Sequence, residues 1–169
     1  MPSTNRRSAD ALRPLVIVAG GQTGVDRAGL AFARAFGLPI AGWCPQGGWA
    51  EDLPHPPGVR ALFPELVETP DRRPAERTRR NVALADRLVL VWPRGFASPG
   101  TALALAHARA LGRPVTAVDP TDPAAAAQLA QALGAGGLVN LAGPRESEWP
   151  GAEAMAYALL ERAWHSRSG

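Results

Sequence analysis

No lysine occurs among the 169 residues; every one of the 18 basic side chains is an arginine. Chemistry that needs a lysine amine is thereby excluded, both a Schiff-base enzyme and a P-loop whose lysine reaches a phosphate. Cysteine occurs once, as Cys44, so no intramolecular disulfide can form. A lone cysteine reads as a small buried hydrophobe rather than a nucleophile. The three histidines, His55, His107 and His165, are too scattered for zinc-ligand spacing, and no metal site is expected. No apolar run approaches the ~20 residues of a membrane span, so no membrane partner is expected. The formal charge of +3 is modest, and the arginines lie near acids without interleaved aromatics. A nucleic-acid partner is not expected on that footing. The first 14 residues are polar and carry Arg6, Arg7 and Arg13, without a signal-peptide core. They read as a flexible tail of a cytoplasmic protein, ahead of one domain over 15–165.

What the chain does have is apolar residues at 46%, enough to bury a core at this length. Leu15 to Ala19 is a continuous β-branched run, the pattern of a parallel strand buried on both faces. After Gly20 and Gly21, Val25, Ala28, Phe32 and Phe36 recur at helical spacing, and Gly37 closes the helix. Pro39 to Gly42 reads as a second strand. Residues 43–74 show no period and carry seven prolines, which points to an ordered, stiff loop. Beyond it come a helix over 75–85, a strand over 88–92 and a helix from Gly100 to Leu111. A strand over 115–118, a helix from Asp122, a strand over 138–141 and a helix over 151–164 complete the chain. Strands alternating with helices define a single-domain, Rossmann-like α/β fold, doubly wound, its sheet mostly parallel with helices on both faces. Such sheets bind ligands beyond the carboxyl ends of their strands.

Five segments fall where chemistry is expected. Gly20, Gly21, Gln22, Thr23, Gly24, Val25, Asp26 and Arg27 join a strand end to a helix start. There, glycines permit positive φ, and free N–H groups attract an anion such as phosphate. A tight turn without ligand fits the same residues. The dinucleotide fingerprint does not, because Ala19 stands at its first glycine and Trp43 where a ribose-binding acid belongs. Ser98-Pro99-Gly100-Thr101 is a second such loop; Thr101 fits helix capping or phosphate donation. In the third segment Arg77 and Asn81 share one helix face, a polar pair able to turn toward the cleft. Asn140 to Ser147 ends the last strand, where Arg145 can clamp an anion or pair with Glu146 or Glu148. The long loop holds Cys44, Glu51, Asp52 and His55, with Asp52 or Glu51 able to hold a ribose or act as base.

In order along the chain these segments resemble the motifs of the proposed molybdenum-carrier family, also described as permuted YpsA-like Rossmannoid proteins. Gly20–Leu30 resembles its opening motif. Gly42-Trp-Cys-Pro-Gln-Gly47 with Ala50-Glu-Asp52 resembles the second. Glu68-Thr69 with Arg77-Thr78 and Asn81-Val82 resembles the third, Gly100-Thr101 its glycine-threonine loop, and Leu138–Ser147 the last. The chain departs from that pattern at Pro99, which replaces a glycine and removes an N–H donor, and in its extra arginines around Arg77.

The resemblance implies a carrier of molybdenum cofactor. It also implies kinship with proteins proposed to bind nucleotide derivatives and with phosphoribohydrolases that cut N-glycosidic bonds. The expected function is binding of a phosphate-bearing small molecule, a nucleotide derivative or molybdenum cofactor. Gly21, Gly24 and Thr101 would hold the phosphate, Arg77 and Arg145 neutralise it, and Trp43 stack on a ring. An N-glycosidic hydrolase acting on a nucleotide or ADP-ribose is the alternative, with Asp26, Asp52 or Glu68 as the acid–base group. Against its usual form, no acid follows Gly100-Thr101 in the helix. A structural subunit without ligand is the third reading. The apolar content and five tryptophans point to self-association, expected as a dimer.

Overall fold

The computed structural model describes residues 13–167, so most of the tail expected over 1–14 lies outside the described residues. Leu15–Val18 (β1) is followed by the helix Val25–Ala35 (α1) and the short strand Ile40–Ala41 (β2). Trp43–Cys44 (β3) and Val67–Glu68 (β4) lie within the segment expected to be a loop. Then come Pro74–Leu84 (α2), Arg87–Val91 (β5), Pro99–Ala110 (α3) and Val115–Val118 (β6). Ala125–Gly134 (α4), Gly137–Ala142 (β7) and Ala152–Ser166 (α5) end the fold.

Five strands form one sheet in the order β2-β1-β7-β5-β6, and every pair is parallel. The chain winds outward from β1 to one edge and from β5 to the other. The last strand, β7, then enters between them.

Alternation along β5 shows how the two faces are built. Val89 and Val91 join one apolar cluster, with Phe32 of α1, Leu129 of α4 and Leu159 of α5. Leu88 and Leu90 join another, with Val82 of α2 and with Ala104 and Ala108 of α3. Successive side chains of a strand point to opposite faces, so α1, α4 and α5 cover one side and α2 and α3 the other. This is the Rossmann-like, doubly wound α/β arrangement that the strand and helix pattern predicts.

The sequence reading departs from the structure in two places. Residues 43–74 are not without regular structure: β3 and β4 pair in parallel, Trp43 opposite Val67 and Cys44 opposite Glu68. Two 3₁₀ turns, Gln46–Gly48 and Gly58–Ala61, lie between them. A pairing of two-residue strands separated by more than twenty residues leaves no local period to read. The helix expected from Asp122 begins at Ala125, because the Asp122 side chain accepts from the Ala124 N–H at 2.8 Å and holds a turn there. Cys44 is fully buried with Leu30, Val59 and Leu66, as a small hydrophobe. No described helix is long and apolar enough to cross a membrane.

Candidate functional site

At the carboxyl ends of β1, β7 and β5 the loops diverge and leave a cleft of about 290 Å³. It opens on the side covered by α2 and α3. Of the expected residues, Gly20, Gln22, Asp26, Arg77, Asn81, Gly100, Thr101 and Arg145 line it. Gly21, Thr23, Gly24, Arg27, Trp43, Asp52 and Glu68 do not, and each has another role.

Arg77 and Asp26 form the centre of one wall. The guanidinium lies 2.6 Å from the Asp26 carboxylate, and both side chains are about nine-tenths buried, at 11% and 10% exposure. Gly20 makes this possible by lacking a side chain rather than by its φ. A Cβ there would come within 2.0 Å of the Arg77 guanidinium. The glycine is thus read as a close approach, with the arginine lying over the backbone where β1 ends. Burial pushes the Asp26 carboxyl above its ordinary value, although the Arg77 charge and the Gln22 and Gly20 backbone pull the other way. The Nε of Arg77 is buried with no hydrogen-bond partner among the described residues.

Gln22 has its amide oxygen committed to the backbone N–H groups of Thr23 and Glu51, at 3.0 and 2.9 Å. Asn81 is committed too. Its amide accepts from the Trp43 N–H at 2.7 Å and donates to the Trp43 carbonyl at 3.0 Å, tying α2 to β3. Trp43 carries the Arg80 guanidinium over its ring at 4.6 Å, outside the cleft.

Thr23 donates to Glu51 and accepts from the Glu146 N–H at 3.1 Å, which ties the loop after β1 to the loop after β7. Burial opposes ionisation of Glu51. Hydrogen bonds from Thr23 and Ser147 and the nearby Arg145 charge outweigh it and hold the carboxyl below its ordinary value.

Arg27 is a latch. It donates to the Gly21 carbonyl from Nε and Nη2, both at 3.1 Å, and forks onto both oxygens of Asp52. Those bonds hold the Asp52 carboxyl below its ordinary value. Glu68, partly buried on β4, is held low by the Gly47 N–H and by Arg60. Of the four carboxylates considered for acid–base work, Asp26, Glu51, Asp52 and Glu68, the structure brings Asp26 alone to the cleft.

A consequence can be measured at the latch. Arg27→Lys keeps the charge but cannot reproduce the planar fork onto Asp52 and the Gly21 carbonyl. We expect a loss of about 1–3 kcal/mol, from one buried carbonyl left with poorer partners. Urea unfolding checks it, as a lower midpoint with an unchanged slope.

Facing the Arg77 wall is the first turn of α3. Ser98 precedes it, with its hydroxyl 2.6 Å from that of Thr101, so Thr101 bonds a neighbouring side chain instead of capping the backbone. Pro99 holds the first helical position, and Gly100 and Thr101 follow with N–H groups that have no intrahelical acceptor. Arg145 realises the ion-pairing alternative: its Nε lies 3.6 Å from Glu148 and 3.7 Å from Glu51. Glu146 has turned away to accept from the Gly151 and Glu153 N–H groups at the start of α5.

Two lining residues carry no prior expectation as ligand contacts. Asn140 is 3% exposed and lines the cleft. It pairs with Leu88 across β5 and β7, which places it on the α2/α3 face. The available signal was a polar residue in the apolar run of a central strand. Glu148, from the loop after β7, also lines the cleft and accepts from the Ser98 hydroxyl at 2.8 Å. Among the described residues no group of three His, Cys, Asp or Glu side chains is placed to hold a metal ion.

Five parallel strands, with a cleft where the winding reverses, define a Rossmann-like α/β protein with its candidate site at the switch point. A family model matches residues 17–164, and the chain belongs to the circularly permutated YpsA SLOG family. Its fold is also similar to the crystal structure of a proposed molybdenum carrier protein from Syntrophus aciditrophicus SB. The two are 28% identical, the match covers 89% of this chain and 94% of that one, and the TM-score is 0.78. Comparison with curated proteins gives no significant match.

Proposed function

We propose that the cleft binds a phosphate-bearing small molecule, a nucleotide derivative or molybdenum cofactor, and that the protein acts as its carrier. The observation that carries this reading is that Arg77, whose buried Nε has no partner among the described residues, lines the same cleft as the free N–H groups of Gly100 and Thr101. Buried polar groups are rarely left without partners, and helix N-terminal N–H groups suit an anion. The similarity to a proposed molybdenum carrier supports the cofactor arm. Cys44 is buried away from the cleft, so the chain offers no thiolate there. Recognition of that cofactor would rest on its phosphate and ring rather than on its metal.

The test is a thermal-shift series with AMP, ADP-ribose and molybdenum cofactor, beside native mass spectrometry of protein from its own host. A ligand at a hundred times its dissociation constant adds about 2.7 kcal/mol. For a chain of this size that raises Tm by about 5–10 °C. No shift with any of the three, and no bound species, would overturn the reading.

Hydrolysis of an N-glycosidic bond is the second reading, favoured by the upward-shifted Asp26 carboxyl in the cleft. Water would add across the bond, giving free base and sugar phosphate. Incubation with AMP and detection of adenine with ribose 5-phosphate checks it.

A further inference from the structure

Both cationic side chains that line the cleft already have carboxylates beside them. Arg77 is bonded to Asp26 at 2.6 Å. Arg145 lies between Glu148 and Glu51, at 3.6 and 3.7 Å. The four charged lining residues therefore sum to zero, two arginines against Asp26 and Glu148.

Glu148 stands where that balance bears on a ligand. Its Oε2 accepts from the Ser98 hydroxyl at 2.8 Å and from the Arg145 N–H at 3.2 Å. Ser98 is the residue immediately before α3, so the carboxylate stands at the helix end whose free N–H groups suit an anion. Its Oε1 accepts no hydrogen bond among the described residues and has the 3.6 Å charge contact with Arg145. The side chain is 15% exposed, and that exposure is to the cleft it lines.

We propose that Glu148 is the specificity-determining residue of the cleft. It makes the site reject bare oxyanions and accept organic phosphates whose hydroxyl or amine groups donate to its Oε1. This rests on the phosphate-ligand reading above. A fully deprotonated dianion such as sulfate or molybdate meets the Glu148 charge and has no donor to offer it in return. A sugar phosphate meets the same charge but offsets it with a charge-assisted hydrogen bond. The protein's own carboxylate therefore acts against the wrong ligand, as negative charge does in many selective sites.

Glu148→Gln tests it, because glutamine keeps the shape and one acceptor oxygen and loses the charge. Calorimetry would give dissociation constants for AMP, sulfate and molybdate on the intact protein and the variant. The intact protein is expected to prefer AMP over both oxyanions. In the variant the oxyanions should tighten roughly tenfold, the scale of one unit charge a few ångströms away in a polar medium. AMP loses its charge-assisted hydrogen bond together with the repulsion, so it should gain less than the oxyanions do, and its preference over sulfate falls. Glu148→Asp, which keeps the charge, should hold the preference near that of the intact protein.

An unchanged or increased preference for AMP in Glu148→Gln would overturn the inference and leave the phosphate-ligand reading standing. Molybdate or sulfate binding as tightly as AMP to the intact protein would do the same. Sulfate binding by the variant alone would support the inference. Failure of every probe with both proteins would overturn the inference and the functional reading together.

Discussion

Replacing Arg77 with methionine is expected to lower stability by about 3–5 kcal/mol, the cost of leaving one partner of a buried ion pair uncompensated. Asp26 is the partner left behind. Its carboxylate is nine-tenths buried and has Arg77 as its ion-pair partner at 2.6 Å. The effect should depend on pH, with a definite sign. Burial already raises the Asp26 carboxyl above its ordinary value, and loss of the Arg77 charge raises it further. Between the unfolded value, about 3.9, and the raised folded value, the folded protein binds more protons than the unfolded one. Stability then falls as pH rises through that window. Arg77→Met should therefore be closer to the intact protein at pH 5 than at pH 8. Urea unfolding at both values reads this directly. The double substitution Asp26→Asn with Arg77→Met removes both charges and should recover a large share of the loss. A buried pair replaced as a unit often costs little. If the single variant loses nothing at pH 8, Arg77 is not the counter-charge of Asp26.

Much of this arrangement was legible in the residues, for reasons of period and position. β1 and β5 are continuous apolar runs because both their faces are covered. Helices α4 and α5 show an apolar stripe because only one side of each is buried. Glycines and polar residues at strand ends pointed to the sheet edge where the cleft opens, since parallel winding puts every βα loop there. Side-chain pairings were not legible. Arg27 finds Asp52 across 25 residues, and Arg77 finds Asp26 across 51. Nothing local distinguishes such an arginine from one on a solvated face. Trp43 looked like a stacking platform for a ligand, but the β3–β4 pairing turns it to Arg80 instead. Glu148 read as a surface partner for Arg145. It is that partner, and the loop after β7 also carries it to the end of α3.

The two glycine loops look alike in sequence, yet alanine should affect them in opposite ways. Gly24 precedes α1 with φ at 81° and ψ at −133°, a conformation that L side chains rarely adopt. A Cβ there would stand 2.2 Å from the Pro144 carbonyl oxygen and 2.8 Å from the Arg145 Cα. Both obstacles are backbone, so no rotamer change relieves them. The same Pro144 carbonyl accepts the Val25 N–H at 3.2 Å, which joins the first turn of α1 to the loop after β7. Gly24→Ala must break that join or strain it. Positive φ and forced backbone movement together are expected to cost about 3–5 kcal/mol. Ligand binding should be lost even in the fraction that folds, because Asp26 and Arg145 stand on opposite sides of the join. Gly100 is the contrasting case. Its φ is not positive, and a Cβ there meets nothing within 4 Å. Gly100→Ala should stay within about 1 kcal/mol of the intact protein, on the stabilising side, since alanine suits a helix better than glycine. Thermal and urea unfolding of both variants separate the cases. Equal stabilities would mean that the first loop is not locked against β7, and the cleft built on that lock would lose its basis.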